Sequence, residues 1–174
     1  MRKRRGAGVL AAVVSVAALV AAGVAWAGPS DRQVQMLDNC DGPTFNAVIG
    51  PGTCSRNGGL SFGQFFAALE RGGAPSWRFS PEELNVEPGS TITAVNRGGE
   101  FHTFTPVAAF GGGCIDELNE PLGLSPVPEC GTPGIFGTTG AGPGDSVTTS
   151  SLGAGTQRYM CLIHPWMRTT ASVG

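Results

Sequence analysis

The chain has 174 residues, of which 41% are hydrophobic and 14% are charged. Four of its 11 basic residues lie within the first five positions, so 7 basic and 13 acidic residues remain after residue 27, a net charge of −6. Because nucleic acids and anionic lipid surfaces are bound by clustered cations, this acidic balance, with no lysine after Lys3, argues against both as partners.

The N-terminus has the pattern of a secretory signal peptide. Basic residues at positions 2–5 precede an apolar run over about residues 9–24, and Ala25-Trp26-Ala27 offers small residues at a cleavage site. The apolar run is shorter than the roughly 20 residues that span a bilayer, which favours cleavage over a retained membrane anchor. We therefore predict that residues 1–27 are removed near Ala27. The mature protein is expected to be extracytoplasmic, either secreted or in the periplasm or cell envelope, without stable membrane insertion.

Residues 28–75 are predicted to form an N-terminal extension that packs on the following domain and contains a disulfide loop and one short helix. Residues 34–37 are a strand candidate, and a loop rich in glycine and proline follows over residues 38–59. Ser61 is a candidate helix cap, and Gly72-Gly73 would end that helix. Its apolar residues recur at helical spacing and are interpreted as core packing: Phe62, Phe65, Phe66 and Leu69.

Residues 76–174 are predicted to form the main domain from short strands. The β-prone pieces lie at residues 77–79, 84–86, 91–95, 101–107, 147–150, 157–161 and 169–173. The stretch 111–144 is dense in glycine and proline and is predicted to be a long loop. Short strands at this spacing predict an all-β fold, a Greek-key β-sandwich with a short N-terminal helix and long disulfide-stapled loops.

The five cysteines leave one over if the rest form bridges, as is usual in an exported chain. Cys161 is the candidate free thiol, because it begins a segment with a ligand-capable side chain at every third residue. The other four cysteines have no histidine near them in sequence. Four cysteines allow three pairings, and proximity and loop context favour Cys40 with Cys54 and Cys114 with Cys130.

The candidate metal ligands are His102, Cys161, His164 and Met167. The chain has only two histidines; one lies in the Cys161 segment and the other on an earlier predicted strand. One thiolate, two imidazoles and a weak axial thioether form the donor set of copper electron-transfer sites. Structural zinc sites favour four cysteine or histidine donors and seldom use methionine.

The motif Cys161-x-x-His164-x-x-Met167, with an upstream Asn96-x-Gly98-x-x-x-His102, resembles the blue copper proteins of the cupredoxin family, which includes plastocyanin, amicyanin and azurin. The resemblance covers about residues 77–174. It implies one copper ion, with His102 and His164 as the imidazole ligands, Cys161 as the thiolate and Met167 as the axial ligand. It also implies transfer of single electrons between redox protein partners. Because His164 lies on the turn, we expect it to be the ligand that reaches the surface.

Several residues near the motif carry further expectations. The family often has asparagine directly after the first histidine, and we expect the hydroxyl of Thr103 to replace its bond between the two ligand loops. Glu100 is predicted to be a solvated loop residue, although it and Asn96 could tune the site. Pro165 and Trp166 either form an apolar rim for a partner or cover the end of the sandwich.

The residues favour an electron carrier over an enzyme. A copper oxidase or nitrite reductase needs further histidines for its catalytic copper, and none remains beside the two candidate ligands. The alternative is an extracytoplasmic copper-binding or delivery protein without an electron-transfer role. Tracts rich in methionine or histidine would favour that alternative, and only three methionines follow the leader: Met36, Met160 and Met167. An exported interaction domain that makes little use of copper also remains open.

Overall fold

The structure is a computed structural model that describes residues 32–174. The predicted leader, residues 1–27, lies outside the described residues, so its cleavage stays a prediction. Across 32–174, no helix is both long enough and apolar enough to cross a membrane.

Two four-stranded sheets form the body of the protein. In the first sheet the strand order is β2-β1-β4-β8, in the second it is β3-β10-β9-β6, and β5 pairs with β7 as a separate short ladder. The strands are β1 (Arg32–Leu37), β2 (Arg78–Ser80), β3 (Glu83–Val86), β4 (Ile92–Asn96), β5 (His102–Thr103), β6 (Thr105–Pro106), β7 (Gly140–Ala141), β8 (Ser146–Thr148), β9 (Gly155–Met160) and β10 (Arg168–Val173).

Alternation of buried and exposed side chains explains why these segments are strands. In β1, Val34 and Met36 are buried while Gln33 and Gln35 are exposed, and β10 buries every second residue. Large side chains fill the space between the sheets, and the rings of Phe104 and Tyr159 stack with centroids 4.4 Å apart. The predicted β-sandwich is therefore present.

The N-terminal segment supplies a strand to this sandwich. β1 lies between two strands of the main domain, antiparallel to β2 and parallel to β4. The predicted division between residues 75 and 76 stays a prediction. The predicted strand over 101–107 is two strands, because β5 pairs with β7 whereas β6 pairs with β9 of the second sheet.

The fold is not purely all-β, in contrast to the predicted class. The predicted helix is α2 (Phe62–Leu69), whose cap Ser61 forms a reciprocal capping box with Gln64. A second N-terminal helix, α1 (Gly42–Val48), occupies the predicted loop 38–59 and is capped by Asp41. The loop 111–144 contains α3 (Asp116–Asn119), α4 (Ile135–Thr139) and two 3-10 turns. Capping by Asp41 thus orders α1 in a segment whose glycine and proline content had predicted a loop.

Both predicted disulfides are confirmed. Cys40 is bonded to Cys54, Cys114 is bonded to Cys130, and Cys161 is a free, buried cysteine. The free thiol therefore belongs to the segment that the ligand spacing had singled out.

Candidate metal centre

The fold brings together the two histidines and the free thiol. His102 is 59 residues from Cys161 in sequence, and His164 is 3 residues from it. His102 lies on β5, Cys161 follows directly after β9, and His164 lies in the turn before β10. The Nδ1 atoms of His102 and His164 lie 3.9 and 3.8 Å from the Cys161 Sγ. All three side chains are buried, so one thiol faces two imidazole nitrogens in a site closed to water.

The turn that carries His164 and Met167 is closed by backbone hydrogen bonds. The N–H of Met167 donates to the carbonyl of His164 over 2.9 Å, and the N–H of Cys161 donates to the carbonyl of Met167 over 3.1 Å. Met167 is fully buried in this turn. Its position on the ligand turn agrees with the motif, and its role as the axial donor stays a prediction.

Thr103 ties the two ligand segments together. Its hydroxyl accepts a hydrogen bond from the Leu162 N–H over 2.8 Å, and its own N–H lies 3.5 Å from the Cys161 Sγ. The predicted replacement of an asparagine bond by this hydroxyl is therefore confirmed. The hydroxyl also accepts a bond from Thr105, so its orientation is fixed from two sides.

Asp38 is a site residue that the sequence analysis missed. It follows β1 directly, is buried, and has Oδ2 2.9 Å from the Nε2 of His102. Burial by itself would raise the pKa of Asp38, but hydrogen bonds from His102 and from the N–H groups of Gly99 and Glu100 outweigh it and hold that pKa well below its usual range. The only sequence signal was an aspartate at the end of a strand candidate, 64 residues from His102.

The thiol and the first histidine influence each other's protonation. Burial lowers the pKa of His102, but the bonds to Asp38 and Cys161 outweigh this and raise it to about 9. Burial raises the pKa of Cys161, yet the two facing histidines bring it well below its ordinary value. The site therefore favours a thiolate, which is the form that binds metals.

Glu100 is buried, so the prediction that it is solvated is wrong. It accepts a hydrogen bond from the indole N–H of Trp77 and lies 3.8 Å from the Nε2 of His164. Burial raises its pKa. The amide of Asn96 donates to the carbonyls of Glu100 and Ala141 and braces this loop. Sequence alone could not reveal the covering Trp77, which is 23 residues away.

The prediction that His164 reaches the surface is wrong. It is enclosed by Trp166 and by residues 38–73, which are here called the covering segment. Only 3% of His164 is exposed. The ring of Phe65 on α2 lies 6.3 Å from the imidazole, and the ring of Trp166 lies 5.5 Å from it. The indole of Trp166 donates to the carbonyl of Ala74. Trp166 therefore packs beside His164, and its role as a rim for a partner or as a cover of the sandwich end stays a prediction.

An apolar groove adjoins the enclosed histidine. Its lining includes His164, Glu100 and side chains from α1, α2 and α3. Three large apolar residues on or beside it are exposed by 40% or more: Val48, Ile49 and Phe101. Glu100, which also lines the groove, lies 3.8 Å from the Nε2 of His164.

Comparison with known proteins gives structural similarities alone. No family model matches the chain, and no curated protein matches it. The solved structures that are similar to this chain include a novel purple cupredoxin from Nitrosopumilus maritimus. The TM-score is 0.42 and the identity is 15%, over 83% of this chain and 100% of that chain. They also include a reduced Cu(I) form of an amicyanin mutant, with a TM-score of 0.37 and 25% identity over 56% of this chain and 73% of that chain.

The resemblance to the cupredoxins that the motif implied is confirmed in this chain's own geometry. Two packed four-stranded sheets are present, and His102, Cys161 and His164 meet at one end of them with Met167 on the same turn. Two imidazoles and one thiol are thus grouped, and with the thioether of Met167 they would make a donor combination suited to copper.

Proposed function

We propose that the protein binds one copper ion through His102, Cys161, His164 and Met167 and transfers single electrons between redox protein partners. The observation that carries the proposal is that both imidazoles turn Nδ1 toward the sulfur of one buried free cysteine. Such a set supplies three strong donors and, with Met167, a weak fourth. When bound, the copper would supply the one-electron chemistry.

The surroundings of the donors suit electron transfer, because an electron moves easily only where the ligands need little rearrangement. Thr103 fixes the Cys161 segment to β5, Asp38 holds His102, and backbone bonds close the turn that carries Met167. Each donor group is thus held by neighbours that do not depend on the ion. The same burial disfavours the delivery alternative, since an ion that is passed on needs an accessible ligand.

The partner contact in this proposal is the apolar groove beside His164. Exposed apolar side chains such as Ile49 and Phe101 are typical of surfaces that bind other proteins. An encounter there would bring a partner close to the imidazole without exposing the ligands to water. We also propose that the protein works outside the cytoplasm after removal of its leader, because its two disulfides persist in oxidising compartments.

The test is the absorption spectrum of the purified chain after addition of copper(II). We expect an intense visible band from thiolate-to-copper charge transfer, and it should bleach reversibly on reduction. Cys161→Ser should abolish the band. Met36→Leu is the matched control, because it removes another fully buried sulfur from the core and should leave the band unchanged. A colourless copper complex of the unaltered chain would contradict the proposal.

A further inference from the structure

The carboxylate of Asp38 is fixed before any metal arrives. Its Oδ2 accepts hydrogen bonds from the N–H groups of Gly99 over 2.8 Å and Glu100 over 3.0 Å, and its Oδ1 accepts one from Cys40 over 3.3 Å. Its side chain has no exposed surface. An acceptor held by several backbone donors cannot turn away from its neighbour, so the direction in which it faces His102 is built into the fold.

This arrangement decides which nitrogen of His102 faces the metal. An ionised carboxylate only accepts hydrogen bonds, so the 2.9 Å contact with Asp38 requires a proton on Nε2 of His102. The remaining nitrogen, Nδ1, is the one that lies 3.9 Å from the Cys161 sulfur. The hydrogen bond thus leaves Nδ1 free to bind a metal and fixes the plane of the ring.

The same contact places a second negative charge near the thiolate. Asp38 and Cys161 lie on opposite sides of the His102 ring, and all three side chains are buried. Arg56 donates to the backbone carbonyl of Asp38, over 3.1 Å. A buried negative charge stabilises the more positive oxidation state of an ion beside it.

We infer that Asp38, on the segment before the main domain, is a positioning residue for the metal centre that fixes the metal-binding nitrogen of His102 and lowers the reduction potential of the copper. This inference rests on the proposed function. It adds a residue outside the ligand motif, because β1 and the covering segment bring Asp38 to the ring from a distant part of the chain.

Asp38→Asn is the test, because an amide has one acceptor oxygen where a carboxylate has two. That single oxygen cannot accept from the ring and also from the backbone donors that bond the other carboxylate oxygen. We expect copper affinity to fall about 10- to 100-fold, the usual cost of losing a partner of a metal-bound histidine. The reduction potential should rise, and NMR of the copper(I) protein should no longer detect a slowly exchanging His102 Nε2 proton. The unaltered protein should give that proton signal.

Asp41→Asn is the matched control. Asp41 belongs to the same covering segment and caps α1, and asparagine caps helices as well as aspartate does. It should leave affinity, potential and the His102 signal unchanged. Equal effects of the two substitutions would overturn the inference, as would an unchanged potential in a folded Asp38→Asn protein.

The unaltered protein decides the question where the variant does not fold. A copper(I) protein in which Nε2 of His102 binds the metal, or carries no proton, would overturn the inference. Failure of the proposed function would look different, because no coloured copper complex would form at all. NMR of the metal-free protein would then still reveal whether Nε2 of His102 donates to Asp38. Absence of that hydrogen bond would overturn the positioning role.

Discussion

Each imidazole of the candidate centre faces the thiol with one nitrogen and a carboxylate with the other. In both histidines Nδ1 faces the Cys161 sulfur, while Nε2 faces Asp38 at 2.9 Å in one ring and Glu100 at 3.8 Å in the other. A carboxylate behind an imidazole favours the tautomer that leaves the opposite nitrogen for a metal. The closer contact makes this control stronger at His102 than at His164.

The protonation of His102 in the metal-free protein follows from these contacts. Its pKa is raised to about 9, so the ring should stay charged at pH 8, where a free histidine with a pKa near 6.5 is neutral. Because the folded pKa lies above the unfolded one, the stabilisation from this charge is fully present below about pH 6.5 and is lost as pH rises through about 9.

Histidine NMR across this pH range measures the effect, and the chain has only two histidines to assign. We expect the His102 ring signals to titrate near pH 9. Asp38→Asn should move the midpoint down, because it removes the negative charge that stabilises the protonated ring. A midpoint at or below 6.5 in the unaltered protein would refute this account.

At the scale of single elements, α2 both packs the core and encloses the metal centre. Phe65 is buried and contacts the rings of Trp77, Phe45 and Trp166 with centroids 4.7, 5.4 and 6.1 Å apart. The same ring meets His164 edge-on. One side chain therefore links the stability of the covering segment to the exclusion of water from the histidine.

Phe65→Ala should reduce the free energy of unfolding by about 3–5 kcal/mol, the usual cost of removing a buried phenylalanine. It should also speed reduction of the copper protein by a small soluble reductant, because the space it leaves lies beside His164. Phe66→Ala is the control on the same helix, since Phe66 is half-buried and its ring contact is with Phe62. Chemical denaturation and stopped-flow absorbance make the two measurements. Equal reduction rates in the two variants would argue against the enclosing role of Phe65.

Three of the four candidate ligands were predictable from sequence because their spacing is local, whereas the residues around them come from distant parts of the chain. Cys161, His164 and Met167 lie within one turn, and the alternation of β10 and the capping of α2 are equally short-range. Asp38 meets His102 across 64 residues of sequence, and Phe65 on α2 contacts His164 in the turn before β10. No local pattern marks such contacts. The helix α1 was missed for another reason, since glycine and proline at its start favour a loop until Asp41 caps it.

At the scale of the molecule, the sandwich carries two additional segments, and a disulfide closes a loop within each of them. Cys40–Cys54 closes the loop that contains α1, and Cys114–Cys130 closes the loop that contains α3. The sequence separations are 14 and 16 residues, so the two bridges restrict the unfolded chain to a similar degree. They differ in what they hold, because Cys40 lies two residues from Asp38 and donates its N–H to that carboxylate.

Replacing either pair of cysteines by alanine should therefore cost a similar amount of stability, about 2–5 kcal/mol for each bridge. Only the Cys40→Ala and Cys54→Ala double variant should also weaken the His102 Nε2 proton signal, because the covering segment then holds Asp38 less firmly. The Cys114→Ala and Cys130→Ala double variant is the control for general destabilisation. Chemical denaturation gives the first quantity and histidine NMR the second. Equal loss of the signal in both variants would place its origin in overall stability, whereas selective loss assigns it to the segment that carries Asp38.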